Sequence, residues 1–368
     1  MRSLLHQAGL DRSRAGSPEW NPLGDIVRDG ERVVLKPNWV RDRNGSGEGL
    51  DCLVTHTHLI EAILHYVAKA RPRSIVIGDA PVQGCNFDRL LADCRVPAMI
   101  ETFRAHGVEV AVKDFRRTIL ENERLGERGL EECRPLEEFV LFDLGRESVL
   151  EPVSTADSEF RVTMYHPDWL KRTHGPGRHQ YLVARDIIEA DIVINVPKLK
   201  THKKACVTGA LKNIVGINGH KEYLPHHRKG GSAEGGDCYP GRSRVKRLIE
   251  DLLDATNRAR SLAARRILAH LVRAGMGIAR RVGVDDNYEG SWYGNDTVWR
   301  MSLDLQRVLL YGASDGRLSE SAQRRVLTIT DAIIAGEGEG PLSPSPVAFG
   351  MMTLASSTAA ADWVHALL

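Results

Sequence analysis

Five short runs of mostly apolar residues recur along the chain: RVVLKPN from Arg32, SIVIGDAP from Ser74, VEVAVKDF from Val108, DIVINVPK from Asp191 and VLTITDAI from Val326. Runs that stay apolar, rather than alternating with polar residues, predict strands buried on both faces, as in a parallel sheet. Between the first two, Leu59, Ile60, Ile63, Leu64 and Val67 fall at helical spacing, which predicts an amphipathic helix with Thr57 as its N-cap. This alternation predicts an α/β fold with a largely parallel, doubly wound sheet. From Lys246 to about Arg281 apolar residues again keep helical spacing, opposite many arginines, and predict one long helical insertion. The chain then divides into a first part of the α/β core (1–217), a Gly/His-rich loop with the helical insertion (218–300) and a return to the core (301–368). Within the first part, about 115–180 is charged and irregular. There ERLGERGLEECRPLEE reads as a solvated helix or loop and KRTHGPGRH as a mobile loop.

Each predicted strand ends in polar groups: Lys36 and Asn38, Asp79, Lys113 and Asp114, Asn195 and Lys198, and Asp331. Ligands of open α/β sheets bind in the crevice beyond the carboxyl ends of the strands, so these groups are expected to converge although far apart in sequence.

Charge sharpens this picture. Of 50 basic residues only 12 are lysines, and seven of those lie between Lys198 and Lys229. A chain that otherwise uses arginine has here placed a flexible, titratable amine repeatedly. In VPKLKTHKK, Lys198, Lys200 and His202 alternate and would share one face of a continuing strand. TGALKNIVGINGHK sets Lys212, Asn213 and Gly216 around a short helix whose backbone amides suit an anion. It matches neither a P-loop nor a Rossmann fingerprint. GHKEYLPHHRKGGSAEGGDCYPGR adds His220, Lys221, His226, His227, Asp237 and Cys238 in a Gly-rich loop with the composition of a lid, which could also hold a metal. Asp331, Glu337 and Glu339 follow in TITDAIIAGEGEGPLSP, placed to orient lysines or hold a divalent metal. His226, His227, Asp79, Asp331 and Glu337 are the candidate metal ligands, whereas His56 and His58 in THTH fit helix capping or ligand contact better than chelation.

A net charge of +2 excludes a general nucleic-acid coat. No apolar run approaches the roughly 18 residues of a membrane span, and the N-terminus is too polar for a signal peptide, so a cytoplasmic protein is expected. The six cysteines form no C-x-x-C pair, which disfavours zinc ribbons, cluster loops and thioredoxin-type motifs.

VVLKPNWV, IVIGDAP, ADIVINVPKLKTH, VTGALKNIVGINGHK and DAIIAGEGEGP, in that order over roughly residues 31 to 341, resemble the bacterial and archaeal family known as domain of unknown function 362. The family has no single established activity. Many relatives carry ferredoxin-type cysteine motifs that this chain does not have. The resemblance implies functional positions at Lys36, Asn38, Asp79, Lys198, Lys200, His202, Lys212, Asn213, Asp331 and Glu337, and implies that the AAADWVHALL helix would normally continue.

The combined expectation is a biosynthetic enzyme acting on a small phosphorylated or carboxylated molecule by acid–base lyase, isomerase or transferase chemistry. His202, Lys200, Lys198 and Asp331 are its catalytic candidates. Lys36, Asn38, Asp79, Lys212, Asn213, Gly216, His220, Lys221 and Glu337 are its substrate-binding candidates. Two other classes remain open: a non-catalytic metal- or cofactor-binding protein of the cluster-assembly kind, and a metal-dependent redox enzyme. The cofactor is undetermined beyond a divalent metal, and a homo-oligomer is compatible with the sequence.

Overall fold

The structure is a computed structural model that describes residues 1–120, 125, 130–281, 283–285 and 287–368. Its eight-stranded sheet contains β1 (Arg32–Pro37), β2 (Ser74–Asp79), β3 (Val110–Asp114), β4 (Ile192–Val196), β5 (Lys198–His202), β6 (Cys206–Thr208), β7 (Arg325–Glu339) and β8 (Ser343–Ala355). The order β3-β2-β1-β4-β7 is parallel throughout, and β8 runs antiparallel along the far side of β7. The mixed α/β fold with a mostly parallel sheet is the one the apolar runs predict.

Alternation along these strands fills two cores. Val33, Leu35, Ile75, Ile77, Ile192, Ile194, Leu327 and Ile329 enter one, while Val34 and Val193 enter the other. The first is covered by α1 (Thr57–Lys69), whose Leu59, Ile60, Ile63, Leu64 and Val67 are all buried. Each such burial stabilises the fold by roughly 1.5–3 kcal/mol. The cap of α1 differs from expectation. His56 is the N-cap, its Nδ1 accepting from the His58 amide at 3.2 Å, because the Thr57 hydroxyl donates instead to the Cys94 carbonyl at 2.6 Å.

The helical insertion consists of two helices. α2 (Arg244–Arg258) and α3 (Leu262–Arg281) are separated at Ala259, and Ser261 Oγ accepts from the Ala264 amide at 3.2 Å to start the second. They pack on each other around Ile249, Val272 and Ala279. The second main core is covered by α4 (Val298–Tyr311). KRTHGPGRH finishes a helix (Pro167–Thr173) and then forms a hairpin, His174–Gly175 pairing with Arg178 and His179, because His174 and His179 are buried against Phe160 and Tyr181. ERLGERGLEECRPLEE lies partly outside the described residues, and its described end holds a strand at Leu130–Glu132. Among the described residues no helix is long and apolar enough to cross a membrane.

One feature of the sheet creates a site. β4 and β5 are a single run of chain broken at Pro197. As far as Val196 it lies between β1 and β7. Beyond Pro197 it keeps β7 on one side but has β6 instead of β1 on the other. The sheet forks there, at the carboxyl end of β1.

Candidate functional site

Lys36 and Asn195 are neighbours in register across β1 and β4, on the alternation of Val34 and Val193. A buried ammonium is strongly destabilising unless paired. Lys36 Nζ meets Asp79 Oδ1 at 2.7 Å and donates to the Pro37 carbonyl at 2.8 Å and to Asn213 Oδ1 at 3.3 Å. Asp79 Oδ2 accepts from the Trp39 amide at 2.6 Å, tying the end of β2 to the end of β1. Gly216 closes over this pair, since a Cβ there would fall 1.9 Å from Asp79 Oδ1. Asn213 spends its amide on Asn195 Oδ1 at 2.7 Å and the Lys36 carbonyl at 3.1 Å, and accepts from Asn38 at 3.0 Å. Lys200 Nζ completes the layer, donating to Asn38 Oδ1 at 2.9 Å and to the Leu53 carbonyl. Burial, with Lys198 close by, holds Lys200 well below the ordinary lysine value.

This polar layer floors a cavity of about 590 Å³. Lys204, Lys212 and Lys221 stand in its wall, half-buried, and their ammonium groups make no hydrogen bond or ion pair to the described residues. Burial, with Lys221, Lys204 and Lys36 nearby, pushes Lys212 down to about 7. Lys221 is pushed down to about 8, chiefly by burial, against the pull of Asp79. Lys204 is also lowered by burial, with Glu289 opposing. Two histidines complete the wall, and both are held neutral by burial and by the lysines. His202 Nδ1 accepts from the Lys204 amide at 3.0 Å, which puts its proton on Nε2 as a donor. His226 Nδ1 lies 2.7 Å from the Leu224 carbonyl and therefore carries the proton, leaving Nε2 as an acceptor. The Thr208 hydroxyl lines the cavity with its oxygen buried and without a partner among the described residues. The arrangement offers an anion several donors and a proton acceptor beside them.

Of the residues singled out by sequence, Lys36, Asn38, Asp79, Lys200, His202, Lys212, Asn213, Gly216, Lys221 and His226 line this cavity. Others lie elsewhere. Lys198 is buried against Asp331, Nζ to Oδ2 at 2.7 Å, and Asp331 also accepts from the His56 amide at 2.9 Å. The β5–β7 register shifts between Lys198 and Lys200, and only the latter reaches the cavity. His220 packs beside Glu222 and Tyr223, Glu337 is exposed, and His227 is buried away from the wall. The five metal candidates form no common group: lysines occupy Asp79 and Asp331, and the other three are dispersed. Lys113 and Asp114 turn to Asp186 and Arg116 instead.

Lys204, Thr208, Glu289 and Ser291 are cavity residues that the motifs did not single out. The Lys203–Lys204 doublet sat inside the lysine run and carried a signal. Glu289, held at a φ of 61°, arrives from a distant loop with no pattern around it.

A model of the family described as Domain of unknown function (DUF362) matches residues 151–366. A thylakoid-associated protein of Synechocystis sp. is 23% identical over 218 residues, 59% of this chain and 49% of its own. The chain thus spans about half the length of this curated relative. A solved protein of Thermotoga maritima aligns with all of this chain and 58% of its own at 11% identity, with a TM-score of 0.41. The lactate racemase apoprotein of Thermoanaerobacterium thermosaccharolyticum aligns with all of this chain and 54% of its own, at 8% identity and a TM-score of 0.37.

Proposed function

The chain belongs to the DUF362 family, and on that premise we propose that its forked-sheet cavity is an active site for proton transfer on a small carboxylated or phosphorylated molecule. The observation that carries the reading is the convergence of Lys204, Lys212 and Lys221, none of them partnered within the described residues, on one cavity. Unpaired ammonium groups held this close repel one another, and an anion relieves that repulsion. In this reading Lys204, Lys221 and His202 Nε2–H hold the anionic group. Lys212, titrating at about 7, takes the proton from the substrate. Asp79, through Lys36, and Asn38, through Lys200, fix the floor against which the substrate lies. We infer a small molecule, not a nucleic acid or a lipid surface, as the partner, and a cytoplasmic setting for the reaction.

The test is solvent exchange. Wild-type protein is incubated in D2O with a panel of 2-hydroxy, 2-amino and phosphorylated acids, and deuterium incorporation next to the anionic group is followed by NMR. Incorporation that is lost in Lys212→Met, with the fold retained by circular dichroism, supports the reading. A ligand that is retained stoichiometrically and never exchanged would make this a binding protein instead.

A further inference from the structure

Outside the cavity, the Gly/His-rich loop packs a second polar cluster against α2. One ring nitrogen of His227, Cys238 Sγ and a carboxylate oxygen of Glu250 lie within 4.8 Å of one another, and all three residues are buried. This is the one such group among the described residues. The three come from separate pieces of chain: a two-residue strand paired with Arg161, the end of the loop, and the middle of α2.

The His227 imidazole makes no side-chain hydrogen bond to the described residues, and its Nδ1 is buried with no partner. Native proteins rarely leave such an atom unbonded unless something else bonds it. Burial keeps the ring neutral, with Lys204 and Arg161 acting in the same direction, which is the state that ligates a metal. Burial raises the Cys238 thiol, and the adjacent Glu250 raises it further; burial raises the Glu250 carboxyl as well. The two anions are each disfavoured while nothing positive lies between them. A neutral imidazole, a thiolate and a carboxylate balance a divalent cation in charge, and removing the thiol proton is the ordinary accompaniment of binding.

We propose that His227, Cys238 and Glu250 form a zinc-type metal site that clamps the loop to α2 and leaves a fourth position for water. Thiolate and imidazole select this class of ion over magnesium or calcium. Tetrahedral zinc sets its ligands roughly 3.3–3.6 Å apart by its bond lengths, so three atoms within 4.8 Å of one another draw in to close on the ion. Supporting groups are already in place. The Gly230 amide bonds both Glu250 oxygens at 3.1 Å, and the Glu289 amide donates to Cys238 Sγ at 3.2 Å. Because His226 and Glu289 line the cavity, the metal would also fix that wall, a positioning role with no redox step.

The test uses the full chain, purified without a metal-affinity tag, stripped with chelator and titrated with Co2+. One equivalent is expected to bind, with a thiolate-to-cobalt band in the near ultraviolet and strong four-coordinate visible bands, and Zn2+ should displace it. Cys238→Ser is expected to lose the thiolate band, whereas Cys206→Ser, which removes an exposed thiol, keeps it. Should Cys238→Ser not fold, the wild type decides: Zn2+, but not Mg2+, should raise its unfolding midpoint and protect Cys238 from alkylation, as read by peptide mapping. No thiolate band in the wild type, a band that survives Cys238→Ser, or protection that maps to Cys133 or Cys206 would overturn the proposal.

Discussion

The chain uses buried and half-buried lysines in two opposite ways. Lys36 and Lys198 are sealed in and matched, each to one aspartate at 2.7 Å. Lys204, Lys212 and Lys221 stand in the cavity wall with no carboxylate in ion-pair contact among the described residues. The same side chain therefore serves as a cross-link between strand ends in one place and as a vacancy for negative charge in the other. What distinguishes them is the neighbour, not the residue. A matched lysine contributes to the fold and is missed when its partner goes; an unmatched one costs stability until a ligand supplies the partner.

The largest effect expected from this contrast is on stability. Asp79→Ala strands a buried ammonium and should cost about 3–5 kcal/mol in denaturant unfolding, and adding Lys36→Met should recover much of it. A loss that Lys36→Met does not relieve would mean that Asp79 acts through the Trp39 amide alone. On the unmatched side the sign reverses. Lys212→Met should leave stability unchanged or raised while weakening sulfate binding about 10- to 100-fold, the range of a hydrogen bond to a charged group. A strongly destabilised Lys212→Met would erase the distinction.

The pH dependence follows from the same lysines. Lys212 titrates at about 7 in the folded chain and near 10.5 when unfolded, so between these values the unfolded chain holds the extra proton. Stability of the unliganded protein should rise as pH rises through that window, and this increment should be absent in Lys212→Met. The smallest effect is expected at the rim. Lys203 pairs with Glu339 in the open, and Lys203→Met should change stability by less than about 1 kcal/mol.

Much of this fold was legible in the sequence because buried parallel strands are apolar without interruption, and five such runs mark five of the eight strands of the sheet. The cavity floor was legible for a related reason: Lys36, Asp79 and Asn195 are polar residues at the ends of those runs, where a parallel sheet presents its ligand crevice. What the pattern did not carry is register. Alternation alone put Lys198 on the face of Lys200, whereas the shift between them along β7 turns Lys198 toward Asp331. Single-residue competition was equally invisible. Thr57 looks like a cap until the Cys94 carbonyl takes its hydroxyl. Glu289 and the His227–Cys238–Glu250 group depend on where distant loops return, and no local spacing encodes that.

The most direct test of the central claim is calorimetric titration of the wild type and of Lys212→Met/Lys221→Met with sulfate, an anion that does not itself titrate between pH 6.5 and 9. The account predicts one saturable site in the wild type at pH 6.5, weakening as the pH rises through about 7 to 8 where these two lysines lose their protons, and no saturable site in the double variant. Binding that is absent from the wild type, or that persists unchanged in the double variant or at pH 9, would contradict it.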